Sequence, residues 1–482
     1  MKCISFEKIK VLIFAALLLL STMVGVRSVN LVFANGIPAP PINNVYIRSN
    51  GTIEPSTTPI SHDGSTYVLT GNLLNASLIV QRDNIVIDGA GYGIHGYSRS
   101  YYDGIIISYR TNITIKNVDI SPFGYGVRMD YASNNTITGN RMSVFTGVSL
   151  LYSDYNQIIG NVITDGYGVQ GLGSNNLILG NNFTSGLDGG GNGMGIYVTG
   201  NYNVISQNFM QEELSIQLPQ SMFNTISNNT IVNGRTGILL GRSSNNLVFG
   251  NIIRGKIDAR SGALGISSDC YNNTVYGNQF ENNALAISLG IQIADFIYNN
   301  VSGNRFYLNN FINNSQNVWI ASGTPVNFWD NGNKGNYWSN YMGRDMNGDG
   351  IGDTPYVING NNTDNHPLIK PALISEVSNS ENQPSIPNQD SSSTPAISPS
   401  ESDSSSTPSE SPAPSKSPDQ NPSPNPSPSQ SNGEKESTTT VKPEPFPTMI
   451  IVSACVVSAF LLCAGLILVF RRRNRKLKNA DS

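Results

Sequence analysis

The chain repeats itself, and the repeat is too short to fold alone. Its clearest unit is Asn-x-apolar-x-Gly-Asn-x-apolar, seen as Asn135-Thr-Ile-Thr-Gly-Asn140-Arg-Met142, Asn176-Leu-Ile-Leu-Gly-Asn181-Asn-Phe183 and Asn246-Leu-Val-Phe-Gly-Asn251-Ile-Ile253. Variants open at Asn156, Asn203, Asn224 and Asn273, so successive first asparagines lie 21, 20, 27, 21, 22 and 27 residues apart. A unit of about 21 residues with two insertions cannot close a core by itself and has to stack on its own copies.

A second element precedes each unit: Gly126-Val-Arg-Met, Gly147-Val-Ser-Leu, Gly195-Ile-Tyr-Val, Gly237-Ile-Leu-Leu and Gly265-Ile-Ser-Ser. Within both elements apolar residues alternate with others, the period of two that marks short strands, and helical spacing is absent. Stacked coils then place Val127, Met129, Ile137 and Met142 inward, with their equivalents above them in later turns. The asparagines five residues after each first Asn are Asn140, Asn161, Asn181, Asn208, Asn229, Asn251 and Asn278. At one corner of the stack they form a ladder in which each amide bonds its neighbours above and below. A leucine-rich horseshoe is the competing solenoid, but its Leu-rich consensus is missing.

These residues resemble the right-handed parallel β-helix repeat family, and more closely its NosD-like branch, named after periplasmic copper-associated proteins. The resemblance runs from Asp83-Asn-Ile-Val-Ile-Asp-Gly-Ala-Gly-Tyr-Gly-Ile94 to Gly335-Asn-Tyr-Trp-Ser-Asn-Tyr341 and the acidic loop after it, roughly Asp83 to Pro367. It implies an all-β, right-handed parallel β-helix over residues 37–370, and it brings copper into consideration. Copper needs soft or imidazole ligands grouped together. The three histidines, His62, His95 and His366, are widely separated in sequence and the methionines do not cluster, so copper is not expected on the residues themselves.

The rest of the chain reads as export and anchoring. Residues 1–34 carry Lys2, Lys8 and Lys10 ahead of the apolar run Val11 to Leu20, a secretory leader with Val32-Phe33-Ala34 as a candidate cleavage site. Residues 375–447 are dominated by Ser and Pro, as in Pro422-Ser-Pro-Asn-Pro-Ser-Pro, and lack the apolar side chains that offset chain entropy, so a disordered stalk is expected. Residues 449–470 hold no charge, long enough as one helix to cross a ~30 Å hydrocarbon layer. The basic residues in 471–482 set the orientation: a single-pass protein of the cell membrane, body outside, C-terminus in the cytoplasm. The body holds one thiol, Cys270, so it contains no disulfide of its own. A net charge of −4 with 13% charged residues excludes the basic footprint of a nucleic-acid binder.

One local motif suggests a metal. Asp345-Met-Asn347-Gly-Asp349-Gly-Ile351-Gly-Asp353 matches a calcium loop, with oxygens expected from Asp345, Asn347, Asp349, the Ile351 carbonyl and Asp353. Tyr356 stands where an EF-hand has its bidentate Glu, so Asp364 is the expected completing carboxylate. Trp319, Trp329 and Trp338 lie nearby and read as a cap on the open end of the apolar column, or as a surface for sugars.

Catalysis by paired carboxylates finds little support in sequence. Asp130 and Asp269 fall six coils apart, near ~29 Å, whereas glycoside hydrolysis needs about 5 to 9.5 Å. Asp154, Asp165 and Asp188 sit in turns or insertions. What remains is the outer wall of the coils. One outward column reads Arg128, Ser149, Gln170, Tyr197, Gln217, Leu239, Ser267 and Ser288; another reads Thr138, Ile159, Leu179, Ser206, Ser227, Phe249 and Tyr276. Such a wall suits a polysaccharide or a cell-envelope partner. The expectation is therefore a membrane-anchored, non-enzymatic binding protein, with a surface polysaccharide lyase or hydrolase as one alternative and a copper-handling protein as another.

Overall fold

The computed structural model describes residues 42–98, 102–184, 193–293, 296–298 and 300–373. The leader, the stalk, the apolar 449–470 segment and the basic tail lie outside the described residues. Every regular element among the described residues is a strand.

Three long sheets run the length of the body, with 13, 12 and 12 strands. Each coil contributes one strand to each in turn, as Tyr125–Asp130, Thr136–Thr138 and Arg141–Ser143 do. The next coil repeats the order with Thr146–Leu151, Gln157–Ile159 and Val162–Thr164. Pairing between coils is parallel and in register, Val127 on Val148, Ile137 on Ile158 and Met142 on Ile163. This is a parallel β-helix. Its antiparallel pairs lie mainly toward the ends: Ile60–Asp63 with Thr66–Leu69 near the start, and Tyr356–Asn359 with Asn362–Asp364 at the finish.

The alternation of apolar residues sets which side faces in. Val127, Met129, Ile137 and Met142 are fully buried, and so are Val148, Leu150 and Ile158 one coil on. Each such side chain contributes on the order of 1.5–3 kcal/mol by leaving water. The motif glycine has a local cause: Gly139, Gly160 and Gly180 hold φ between 62° and 63°, the left-handed turn that delivers the following asparagine to the interior.

Those asparagines form two ladders. Asn140 Nδ2 donates to Asn161 Oδ1 at 3.0 Å, its backbone N–H shares that oxygen at 3.0 Å, and Asn161 Nδ2 donates to the Ile137 carbonyl at 2.8 Å. The same bonds link Asn161, Asn181, Asn208, Asn229, Asn251 and Asn278 and continue to Asn309 and Asn336. The first asparagines build a parallel ladder from Asn135 to Asn327. Full burial of these amides is tolerable because the neighbouring coils supply their donors and acceptors.

The last hairpin terminates both ladders. Asn362 Oδ1 accepts from Asn327 N at 3.4 Å and from Trp329 Nε1 at 3.1 Å. Asp364 Oδ2 accepts from Asn336 N at 2.7 Å and Trp338 Nε1 at 2.8 Å. Trp329 stacks on Phe306 at 4.5 Å and Trp338 on Phe311 at 4.1 Å, so two tryptophans close the apolar column. The third does not: Trp319 pairs with Ser288 on the outer wall.

Candidate functional site

The outer face of the 13-stranded sheet carries a charged cluster. Strands Asp103–Ser108 and Tyr125–Asp130 send Ile105, Ile107, Val127 and Met129 inward, which turns Arg128, Asp130 and Ser108 out. Arg128 Nη1 lies 3.3 Å from Asp103 Oδ2, and Arg128 Nε lies 3.0 Å from Asp130 Oδ2. Ser108 donates to Asp130 Oδ2 at 3.3 Å. One guanidinium thus holds carboxylates from two adjacent coils, each 15–16% exposed. Burial pushes the Asp103 carboxyl above the usual range, against the pull of Arg128. Burial, with the Asp103 charge, also raises the phenol of Tyr125, which pairs with Asp103 across the coils. Sequence spacing missed this cluster because Asp103 precedes the clear repeat units.

Beside it stands a column of tyrosines. Tyr109, Tyr131 and Tyr152 each follow the last residue of a strand in this sheet, with φ of 56°, 52° and 51°. A left-handed backbone is uncommon for a bulky residue, and here it turns each ring out of the corner. The rings stack at 5.1 and 5.2 Å between centroids and are 68%, 50% and 55% exposed. In the next coil Leu172 pairs with Leu151, so Gly173 occupies the place of Tyr152. A Cβ on Gly173 would sit 2.2 Å from the Ser153 carbonyl oxygen, so no side chain covers the outer face of Tyr152 from that position. Two coils further along, Tyr202 and Phe223 form a second exposed stack at 5.3 Å.

The predicted outer columns need one correction. The register runs Arg128, Ser149, Gln170, Tyr197, Gln217, Leu239, Gly265, Ser288 and Trp319, so Gly265 stands where Ser267 was expected. The cause is the longer connection after Arg254: Ala263-Leu264-Gly265-Ile266 matches Gly237-Ile238-Leu239-Leu240, two residues earlier than the glycine alignment suggests. The second column is in place, and Phe249, Tyr276 and Tyr307 stack along it at 5.1 and 5.2 Å.

In the acidic loop the side chains bond their own backbone. Asp345 accepts from the N–H groups of Gly348, Asp349 and Gly350 at 2.7, 3.2 and 2.9 Å. Asp349 accepts from Ile351 N at 2.8 Å and Asn347 Nδ2 at 2.9 Å, and Asp353 from Met346 N at 2.7 Å. Asp364 is not beside them, since it is buried at the end of the ladder. Among the described residues no group of three or more His, Cys, Asp and Glu side chains is placed to hold a metal ion. His62 stacks on Tyr67, His95 meets Ser121 and His366 faces Asp330, each in a different part of the solenoid. The three histidines are therefore not brought together at one site. Asp154 and Asp165 serve turns, bonding Ser174 N and the Ser143 hydroxyl at 2.7 Å each, while Asp188 lies outside the described residues.

No curated protein matches the chain. Solved structures similar to it include the periplasmic alginate epimerase AlgG, at 12% identity over 59% of this chain and 82% of that one, with a TM-score of 0.42. The tailspike protein of E. coli bacteriophage HK620, in complex with a pentasaccharide, is similar at 14% identity over 57% and 55% of the two chains, TM-score 0.38. An alginate lyase in complex with a trisaccharide is similar at 13% identity over 58% and 81%, TM-score 0.36. The family model described as periplasmic copper-binding protein (NosD) matches residues 42–211 and 191–343, which together span more than half of the sequence. The chain belongs to the NosD family.

Proposed function

We propose that this protein is exported, held to the membrane by its apolar 449–470 segment, and binds polysaccharide along the outer face of the 13-stranded sheet without cleaving it. The observation that carries the reading is the exposed tyrosine column, Tyr109, Tyr131 and Tyr152, open at its Gly173 end and set beside the Arg128 cluster. Aromatic faces pack against the apolar faces of sugar rings, while Arg, Asp and Ser side chains bond hydroxyls. The test is a glycan array on the purified protein, followed by Tyr152→Ala and Tyr131→Ala. Binding to a defined polysaccharide that weakens at least about tenfold in Tyr152→Ala, ~1.4 kcal/mol, fits the reading. Affinity unchanged in both variants refutes it.

A second reading rests on one observation, the Asp103 carboxyl raised by burial beside Asp130 on a shared arginine. Glycoside hydrolysis uses one carboxylic acid and one carboxylate on either side of the scissile bond, and this cluster brings two such groups to one outer face. Reducing ends or unsaturated products released by wild type and lost in Asp103→Asn would replace binding with catalysis as the function.

A further inference from the structure

Far from the tyrosine column, the C-terminal end of the body contains a cleft of about 430 Å³ between the last coil and the closing hairpin. It is eight register steps from Arg128 along the same sheet, ~38 Å at ~4.8 Å per coil. Ser315, Gln316 and Asn317 form one wall, and Ser339, Asn340 and Tyr356 the other. No Asp, Glu, Lys, Arg or His lines it, so a charged ligand would leave its hydration without a compensating partner.

The amides in the cleft are already oriented. Asn317 Nδ2 donates to Asn340 Oδ1 at 3.1 Å and the Tyr356 hydroxyl donates to the same oxygen at 3.2 Å. Both bonds run to Oδ1, so the Nδ2 donors of Asn340 are left for whatever enters. Gln316 donates through Nε2 to the Val318 carbonyl at 3.1 Å, which leaves Oε1 as an acceptor. An amide donor and an amide acceptor lining one cleft suit sugar hydroxyls, each of which both gives and takes a hydrogen bond.

The hairpin wall is anchored before any ligand arrives. Tyr356 stacks on Trp338 at 4.3 Å, Trp338 stacks on Phe311 at 4.1 Å, and the hairpin is tied to the asparagine ladders through Asn362 and Asp364. Contact with Tyr356 therefore sacrifices little side-chain freedom.

From this placement we infer that the C-terminal cleft is a second binding site, for one uncharged pyranose unit with free hydroxyls. It stands independently of the tyrosine column. The test titrates methyl glucopyranoside and methyl mannopyranoside, with glucuronate as the charged counterpart, into the purified full chain by calorimetry and saturation-transfer NMR. Asn340→Ala, Gln316→Ala and the cleft-filling Ser315→Trp are compared with Tyr152→Ala, each verified to keep the wild-type melting curve. Saturable binding of a neutral glycoside that falls at least about tenfold in Asn340→Ala and Ser315→Trp, and persists in Tyr152→Ala, supports the site. No saturable binding overturns it, as does binding insensitive to Asn340→Ala and Ser315→Trp, or glucuronate binding as tightly as the neutral sugars. Loss in Tyr152→Ala alone overturns this site while favouring the tyrosine column.

Discussion

Asp364 makes the stability of this fold depend on pH in a direction opposite to that of a salt-bridged carboxylate. Its side chain is fully buried, and burial raises its pKa from the ordinary 3.8 to about 6, against the bonds from Asn336, Trp338 and His366. That difference in proton affinity between folded and unfolded chains is worth ~3 kcal/mol. The folded state holds the proton more tightly, so above about pH 6 it carries a buried carboxylate that the unfolded chain would keep in water. As pH falls from about 6 toward 3.8 the folded state takes up the proton and gains stability relative to the unfolded chain. In Asp364→Asn an amide oxygen still ends the ladder but nothing titrates. Urea unfolding of both proteins, followed by circular dichroism from pH 4 to 8, isolates the effect because other titrating groups cancel in the difference. Wild type minus variant should rise by about 2 kcal/mol on going from pH 7 to pH 4, the rest of the ~3 kcal/mol appearing only below the ordinary 3.8. A flat difference, or one that falls with acid, refutes the argument.

Asn208→Ala removes the acceptor for Asn181 N and Nδ2 and the donor to the Ile178 carbonyl, and urea melts should show a loss of ~2–5 kcal/mol; less than ~1 kcal/mol would mean the ladder is not holding the coils. Lys256 is buried with Nζ 3.1 Å from Ser215 Oγ, and burial lowers its pKa to about 7. Its folded state binds the proton more weakly, so stability should rise from about pH 7 toward 10.5, and Lys256→Met should remove that rise in melts across the range. Calcium in the Asp345 to Asp353 loop is a proposal that rests on an all-oxygen donor set, and binding would require the acids to turn from their backbone partners. Calorimetry and melting with calcium or chelator test it, and an unchanged melting temperature with no heat would remove it. Ile158→Ala, which opens a fully buried position, should cost ~2–5 kcal/mol in the same melts.

The solenoid was legible because its period is local. Inward positions such as Val127, Ile137 and Met142 follow from alternation alone, and the coil length follows from the asparagine spacing. Functional geometry was much less so. The cluster of Asp103, Arg128 and Asp130 depends on one register step between coils, and a sequence row does not show which residue of a strand faces which in the next coil. Glycine alignment misplaced Gly265 for that reason, as the connection after Arg254 is longer than its neighbours. Asp364 read as a calcium ligand because it follows an acidic loop, although two tryptophans and the ends of the ladders decide its place. The tyrosine column left a trace in sequence, Tyr109, Tyr131 and Tyr152 each closing a strand, but stacking requires the left-handed turn that the structure supplies.

The asparagine ladders also have a polarity. In every rung from Asn140 to Asn309 one Nδ2–H bonds the Oδ1 atom of the following coil, while the second, as in Asn140 and Asn161, reaches a backbone carbonyl of the preceding coil; the amide oxygens all face back. The amide dipoles therefore align head to tail along the solenoid axis, as peptide dipoles do in an α-helix, with the positive end at the C-terminal cap. The carboxylate of Asp364 sits on that end. The last amides of the row thus oppose, without cancelling, the burial that raises the Asp364 carboxyl, and a lysine at the same place would meet their field with the wrong sign.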